Sequence, residues 1–162
     1  MKKKVLFVCL GNICRSPSAE AVFRSLLEKK QLTDKFIVDS AGTSDWHAGE
    51  PADVRMQKHA SKRGYTLTSV SRPVIPERDF KKFDYIVAMD RENLDDLKEM
   101  APRSKYLKKL FLMTDFNRKF DYDGVPDPYY GGDEGFELVL DLLEEATEGL
   151  LEHIQNKPGR FW

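Results

Sequence analysis

The sequence predicts an α/β fold: a three-layer sandwich with a small four-stranded parallel sheet flanked by helices on both faces. Three observations carry that expectation. Short apolar runs rich in β-branched and aromatic residues alternate along the chain with stretches of helical periodicity. The runs show no polar alternation, which is the pattern of strands covered on both faces. The chain has 162 residues, the usual size of one domain, so a single domain spanning 1–162 is expected.

The first strand is read at Val5–Val8, followed by a Gly-containing turn from Gly11 to Ser16. Ser16-Pro17 has the form of an N-cap followed by proline at the first helical position. Ala19, Val22, Phe23, Leu26 and Leu27 then mark one face of a helix that fades into Lys29-Lys30. Phe36-Ile37-Val38 is the second strand and ends at Ser40-Ala41-Gly42, completing a βαβ unit with an expected right-handed crossover. A helix over Ala52–Lys62 closes at Gly64. A third strand runs over Tyr85–Met89, with a polar helix from about Glu92 to Met100, and Leu110–Leu112 is the fourth strand. Thr114 to Gly135 reads as loop, rich in Asp, Gly, Pro and Tyr. The last helix carries a stripe from Phe136 through Val139, Leu140, Leu143, Thr147, Leu150 and Leu151 to Ile154.

Composition narrows the function. Hydrophobic residues at 41% and charged residues at 33% suit a soluble globular chain. The 26 basic and 27 acidic residues leave a net charge of −1, which removes the electrostatic case for nucleic acid. No apolar run approaches the ~18–20 residues of a membrane-spanning helix, so no membrane partner is expected. Lys2-Lys3-Lys4 followed by Val5–Leu10 imitates a signal peptide, but the apolar stretch is too short and is soon interrupted by Asn12 and Arg15. Two cysteines make no disulfide framework; they fit a reducing, cytoplasmic setting in which a cysteine is reactive or simply buried.

Chemistry concentrates in Cys9-Leu10-Gly11-Asn12-Ile13-Cys14-Arg15-Ser16-Pro17, between a buried strand and a helix start. There the N–H groups of the turn and of the first helical turn converge on a spot suited to an oxyanion. Leu10, Gly11, Asn12, Ile13, Cys14, Arg15 and Ser16 are the expected phosphate-binding residues, with Arg15 gripping two phosphoryl oxygens in a fork. Cys9, at the end of the strand, would lie beneath the phosphorus, and a helix N-terminus beside a cation favours the nucleophilic thiolate of a cysteine. Gly11 leaves room where backbone approaches the ligand, and Asn12 is a type that tolerates a left-handed conformation. A second candidate is Asp127, flanked by Pro126 and Pro128, because an aryloxide leaving group gains ~10²–10⁴-fold from a positioned acid. Trp46, Tyr129 and Tyr130 are candidate walls of a slot that stacks on an aromatic ring. His47, His59 and His153 show no metal-ligand spacing and read as surface or helix filler, so no metal or cofactor is expected.

These segments resemble the low-molecular-weight protein tyrosine phosphatases. The likeness is very close at CLGNICRSPSAEAVF and returns at DSAGTS, FDYIVAMD and VPDPYYGG, in order along nearly the whole chain. It implies a cysteine-dependent phosphatase acting on phosphotyrosine-containing proteins, releasing inorganic phosphate through a phosphocysteine. By position it implies Cys9 as nucleophile, Arg15 on the phosphoryl group, Ser16 easing departure of the thiolate, and Asp127 as general acid and then base. It further implies that Asn12 and Ser40 hold the loop's shape, and that Cys14 pairs with Cys9 to protect it from irreversible oxidation. Many members carry a histidine in the segment aligning with Ser69-Val70-Ser71-Arg72, where this chain offers serines and Arg72.

Other readings fare worse. Arsenate reductases share the loop but relay electrons through further cysteines downstream, and none follows Cys14. A phosphoarginine-specific branch typically has Thr where this chain has Ile13. Asp121–Val125 imitates a magnesium-dependent aspartyl-phosphatase motif without the preceding apolar strand. A silent phosphotyrosine-binding module would keep Arg15 while losing Cys9 or Asp127, and both are present.

Overall fold

The computed structural model describes residues 1–156; residues 157–162, which the single-domain expectation included, lie outside the described residues. Four parallel strands form one sheet: β1 (Lys3–Cys9), β2 (Phe36–Gly42), β3 (Tyr85–Ala88) and β4 (Leu110–Leu112), in the order β2-β1-β3-β4. In register, Cys9 lies opposite Gly42, Val8 opposite Ala88, and Ala88 opposite Leu112. The helices are α1 (Arg15–Lys29), α2 (Val54–Lys62), α3 (Pro76–Lys82), α4 (Arg91–Met100) and α5 (Asp133–Gln155).

Side-chain alternation along β1 divides the core into the predicted layers. Val5, Phe7 and Cys9 point to one face and pack with Val22 and Phe23 of α1, Met56 of α2, and Phe136, Leu140 and Leu143 of α5. Leu6 and Val8 point to the other, against Phe80 of α3, Phe83, and Leu94 and Leu97 of α4. Gly149 lets α5 lie close, since a Cβ there would fall 2.2 Å from the Phe116 carbonyl oxygen.

Strand order decides where a ligand can bind. After β1, the chain adds β2 on one side; it then returns to add β3 on the other. This reversal leaves a crevice beyond the carboxyl ends of β1 and β3. The residues emerging there are Cys9 and, just past β3, Asp90.

The structure corrects several boundaries. Ser16 does not cap α1. Cys14 holds the cap position, Arg15 begins the helix, and Ser16 and Pro17 lie within the first turn. The second helix starts at Val54, because the Asp53 carboxylate accepts the N–H groups of Arg55 and Met56 as its cap. The third strand stops at Ala88, and the next helix begins at Arg91, capped by Asp90. The start of the expected loop is taken up by a 3₁₀ turn over Met113–Phe116, and its end by α5, which begins at Asp133 and whose acidic first turn suits a helix N-terminus. Helix α3 has no counterpart among the elements read from the sequence: it is seven residues long and buries only Asp79 and Phe80, too little to show a periodicity.

Candidate active site

The turn between β1 and α1 is shaped by what happens to its carbonyls. The carbonyl of Cys9 accepts from the Thr43 N–H (2.9 Å), Leu10 from the Ser44 N–H (3.1 Å) and hydroxyl (2.9 Å), and Gly11 from the Ser71 hydroxyl (2.9 Å). Ile13 accepts from the Asp53 N–H (2.9 Å), and Cys14 from the Ser18 hydroxyl (2.7 Å). With so many carbonyls fastened on the outside, the trans peptide units turn their N–H groups inward. On the inner side of the turn is a cleft lined by Cys9, Leu10, Gly11, Ile13, Cys14, Arg15, Trp46, His47, Asp127, Tyr129 and Tyr130. A Cβ on Gly11 would sit 3.0 Å from the His47 ring, so its glycine makes room for that side chain as well as for a ligand.

Cys9 Sγ lies at the floor. It accepts the Asn12 N–H at 3.2 Å and sits 3.0 Å from Ser16 Oγ. That hydroxyl already accepts from Asn12 Nδ2 (2.8 Å), and its alternative acceptor, the Ala41 carbonyl, is 3.5 Å away. Its hydrogen is therefore best given to the sulfur. Asn12 adopts the anticipated left-handed conformation at φ 56°. Its second amide hydrogen goes to Ser40 Oγ (3.0 Å), which donates onward to the buried Glu20 carboxylate (2.7 Å). The Asn12 carbonyl oxygen accepts the Arg72 backbone N–H at 3.0 Å. Every hydrogen-bonding group of this side chain is thus used, and a main-chain amide stands where the segment offers no histidine.

Arg15 is 3% exposed and reaches across the crevice. Its Nη1 donates to Asp90 Oδ2 at 2.6 Å and to the Val125 carbonyl at 3.0 Å, while Nη2 lies 3.6 Å from Asp127 Oδ2. Burial opposes the Arg15 charge; the nearby Cys9 sulfur and the Asp90 and Asp127 carboxylates outweigh it and hold its pKa above the ordinary value. Burial pushes the Cys14 thiol well up, with Asp53, Cys9 and Asp127 adding to the rise, so it is a protonated thiol at neutral pH.

Asp127 is partly open to the cleft mouth and accepts the Tyr129 N–H at Oδ1, 3.0 Å. Tyr129 and Tyr130 meet edge to face, their centroids 4.9 Å apart, and Tyr130 is 92% exposed. Trp46 stands on the rim, 71% exposed.

The expected residues therefore gather at one cleft, except that Asn12, Ser16 and Ser40 do not line it and lie buried just behind. Sequence reasoning missed others, among them Asp90, Glu20, Ser71 and His47. Asp90 carried a signal, an acid between a strand and a helix, but the cap position explains it equally well. His47 lines the cleft beside Tyr129, ring centroids 6.0 Å apart, rather than merely filling surface. His59 is likewise no filler: it is buried, stacked on Phe136 at 5.3 Å and paired with Glu137. Of the imitation metal motif, Asp121 and Asp123 are exposed, and Asp123 pairs with Arg91 at 2.7 Å. Among the described residues, no helix is long and apolar enough to cross a membrane.

Comparison with known proteins agrees with this geometry. A family model described as low molecular weight phosphotyrosine protein phosphatase matches residues 4–159. The low molecular weight protein-tyrosine-phosphatase YfkJ of Bacillus subtilis is 43% identical over 155 residues, 94% of this chain and 96% of its own. A protein tyrosine phosphatase from Entamoeba histolytica, solved with Hepes in its active site, superposes with a TM-score of 0.92 at 50% identity, covering 95% of this chain and 97% of its own. A Drosophila arginine phosphatase superposes at 0.87 with 37% identity, covering 96% and 99%. The chain belongs to the low molecular weight phosphotyrosine protein phosphatases, a family whose cysteine-based mechanism is independent of metal.

Proposed function

We propose that this chain, as one domain over 1–162, hydrolyses phosphotyrosine in proteins, and small aryl phosphates, through a phosphocysteine and without metal. The observation that carries the reading is the placement of the Cys9 sulfur on the floor of a cleft that also holds Arg15 and Asp127. A phosphotyrosine enters ring-first between Trp46 and Tyr129. Its phosphoryl oxygens are received by the N–H groups of the Leu10–Ser16 turn and by Arg15, which also stabilise the transition states. Cys9 attacks phosphorus as the bond to the phenolic oxygen breaks, and Asp127 gives its proton to that oxygen. Water then attacks the phosphocysteine and returns its proton to Asp127. The sulfur–phosphorus bond breaks, and inorganic phosphate leaves. The Ser16 hydroxyl supports the departing thiolate, and Asn12 and Ser40 hold the loop's shape.

Cys14 is the thiol that would rescue an oxidised Cys9. Peroxide converts Cys9 to its sulfenic acid, and condensation with the Cys14 thiol forms a disulfide and releases water. Two free cysteines fit a cytoplasmic protein.

Ile13 bears on substrate class. It is an apolar lining residue, 7% exposed, and suits an aryl ring better than a guanidinium. The deciding experiment measures phosphate release from phosphotyrosine, phosphoserine and phosphoarginine peptides, with Cys9→Ser as control. Release from phosphotyrosine alone, abolished by Cys9→Ser, is expected. Preference for phosphoarginine, or turnover surviving Cys9→Ser, would refute the proposal.

A further inference from the structure

The loop that carries Asp127 is thinly attached. Its entry is fixed where the Val125 N–H donates to the Met89 carbonyl at 2.7 Å, and its exit passes through Gly131-Gly132 into α5. Between these ends, among the described residues, one side chain donates to the backbone of residues 126–132. That side chain is Arg55, whose Nη2 bonds the Tyr129 carbonyl at 2.8 Å.

Arg55 is itself tied to the phosphate-binding turn. Its guanidinium engages the Asp53 carboxylate through Nη2 at 3.1 Å and Nε at 3.3 Å, and the Asp53 N–H donates to the Ile13 carbonyl at 2.9 Å. The same guanidinium lies over the Tyr129 ring, 5.4 Å from its centroid, and over the Phe136 ring at 5.0 Å, so both aromatic faces attract its charge. Tyr129 is therefore gripped at its carbonyl by Arg55 while its N–H holds Asp127 Oδ1. With Oδ1 occupied, Oδ2 is the oxygen left toward Arg15 and the cleft.

We infer that Arg55 is a positioning residue for the general acid, fastening the Asp127–Tyr130 loop to the phosphate-binding turn through the start of α2. The inference rests on the phosphatase reading and deepens it. A fork is required, because one group must hold Asp53 and the Tyr129 carbonyl together; an ammonium on a flexible stem lacks that preset geometry. Proton donation matters most when the leaving group is poor, so losing the clamp should act selectively on such esters.

The test measures kcat/KM for two aryl phosphates, one with a poor leaving group and one with a good one. Wild type, Arg55→Ala, Arg55→Lys, Asp127→Ala and the double variant Arg55→Ala/Asp127→Ala are compared, with thermal midpoints confirming that each is folded. Arg55→Ala should lose about tenfold on the poor ester and no more than about twofold on the good one, less than the ~10²–10⁴-fold that losing the acid itself would cost. Arg55→Lys should stay near the alanine value. In the Asp127→Ala background, removing Arg55 should cost nothing further, because the two act as one unit. Equal losses on both esters, full rescue by lysine, or an undiminished loss in the Asp127→Ala background would each overturn the inference. A wild-type chain inert toward both esters would sink the phosphatase reading and this inference with it.

Discussion

Replacing Asp90 with asparagine tests how the cleft holds its arginine. The carboxylate has two tasks: Oδ2 accepts from Arg15 Nη1 at 2.6 Å, and Oδ1 accepts the Asn93 N–H as the cap of α4 at 2.8 Å. Asparagine caps helices as well as aspartate does, so the second task survives. The first does not, because the remaining amide nitrogen turns a donor toward a donor. A hydrogen bond to a charged group contributes about 1.5–3 kcal/mol. The Asp90 side chain is 30% exposed and the Val125 carbonyl still accepts from Arg15, so the lower half of that range, about 1.5–2 kcal/mol, is expected. Asp90→Ala should cost about 1 kcal/mol more, the usual worth of an N-cap. Urea unfolding of the three proteins at pH 7 measures these differences. Phosphate affinity, read as product inhibition, should weaken in both variants as Arg15 loses its fixed direction. If Asp90→Asn matched wild type in both stability and phosphate affinity, the ion pair would contribute nothing and the reasoning would fail.

Other perturbations probe separate features. Asp127→Ala should slow hydrolysis of poor-leaving-group esters by at least ~10²-fold while sparing good ones; comparable losses on both would rule out the acid role. Gly149→Ala should destabilise by about 1–3 kcal/mol in denaturant melts, because the added methyl meets the Phe116 carbonyl at 2.2 Å. A helix interior would ordinarily gain up to ~1 kcal/mol from that change, so its sign alone is decisive. Glu137 has its pKa lowered from 4.5, first by its hydrogen bond to Arg63 and then by that to His59. A depressed folded value means the stabilisation is fully present above pH 4.5 and is lost as pH falls through the folded value. The stability gap between wild type and Glu137→Gln should therefore be present at pH 7 and close in that acidic range; a gap unchanged down to about pH 3 would contradict the pairing.

The legible part of the sequence was local. Cys9 to Ser16 lie side by side in the chain, so strand end, turn and helix start are all written in one short stretch, and the cleft floor could be read from it. Asp127 declared itself through its flanking prolines. Asp90 did not, because its partner Arg15 is 75 residues away and the cap it forms for α4 is sufficient reason for an acid at that place. Arg55 was equally silent: its meaning depends on a carbonyl 74 residues distant. Ser16 has the look of a cap because serine before proline commonly is one, whereas here the hydroxyl is drawn to Asn12 and the Cys9 sulfur. His59 has the look of filler because a lone histidine reveals nothing of the carboxylates that α5 brings to it.

The amide that steadies Asn12 from residue 72 is a property of the polypeptide's path. Nineteen of the twenty standard amino acids carry such a hydrogen, so this support asks only that residue 72 not be proline; the Arg72 guanidinium answers a separate need, pairing with Asp39 and the buried Asp79. A comparison of side chains alone would pass over this support, because the group that provides it is common to almost every residue type.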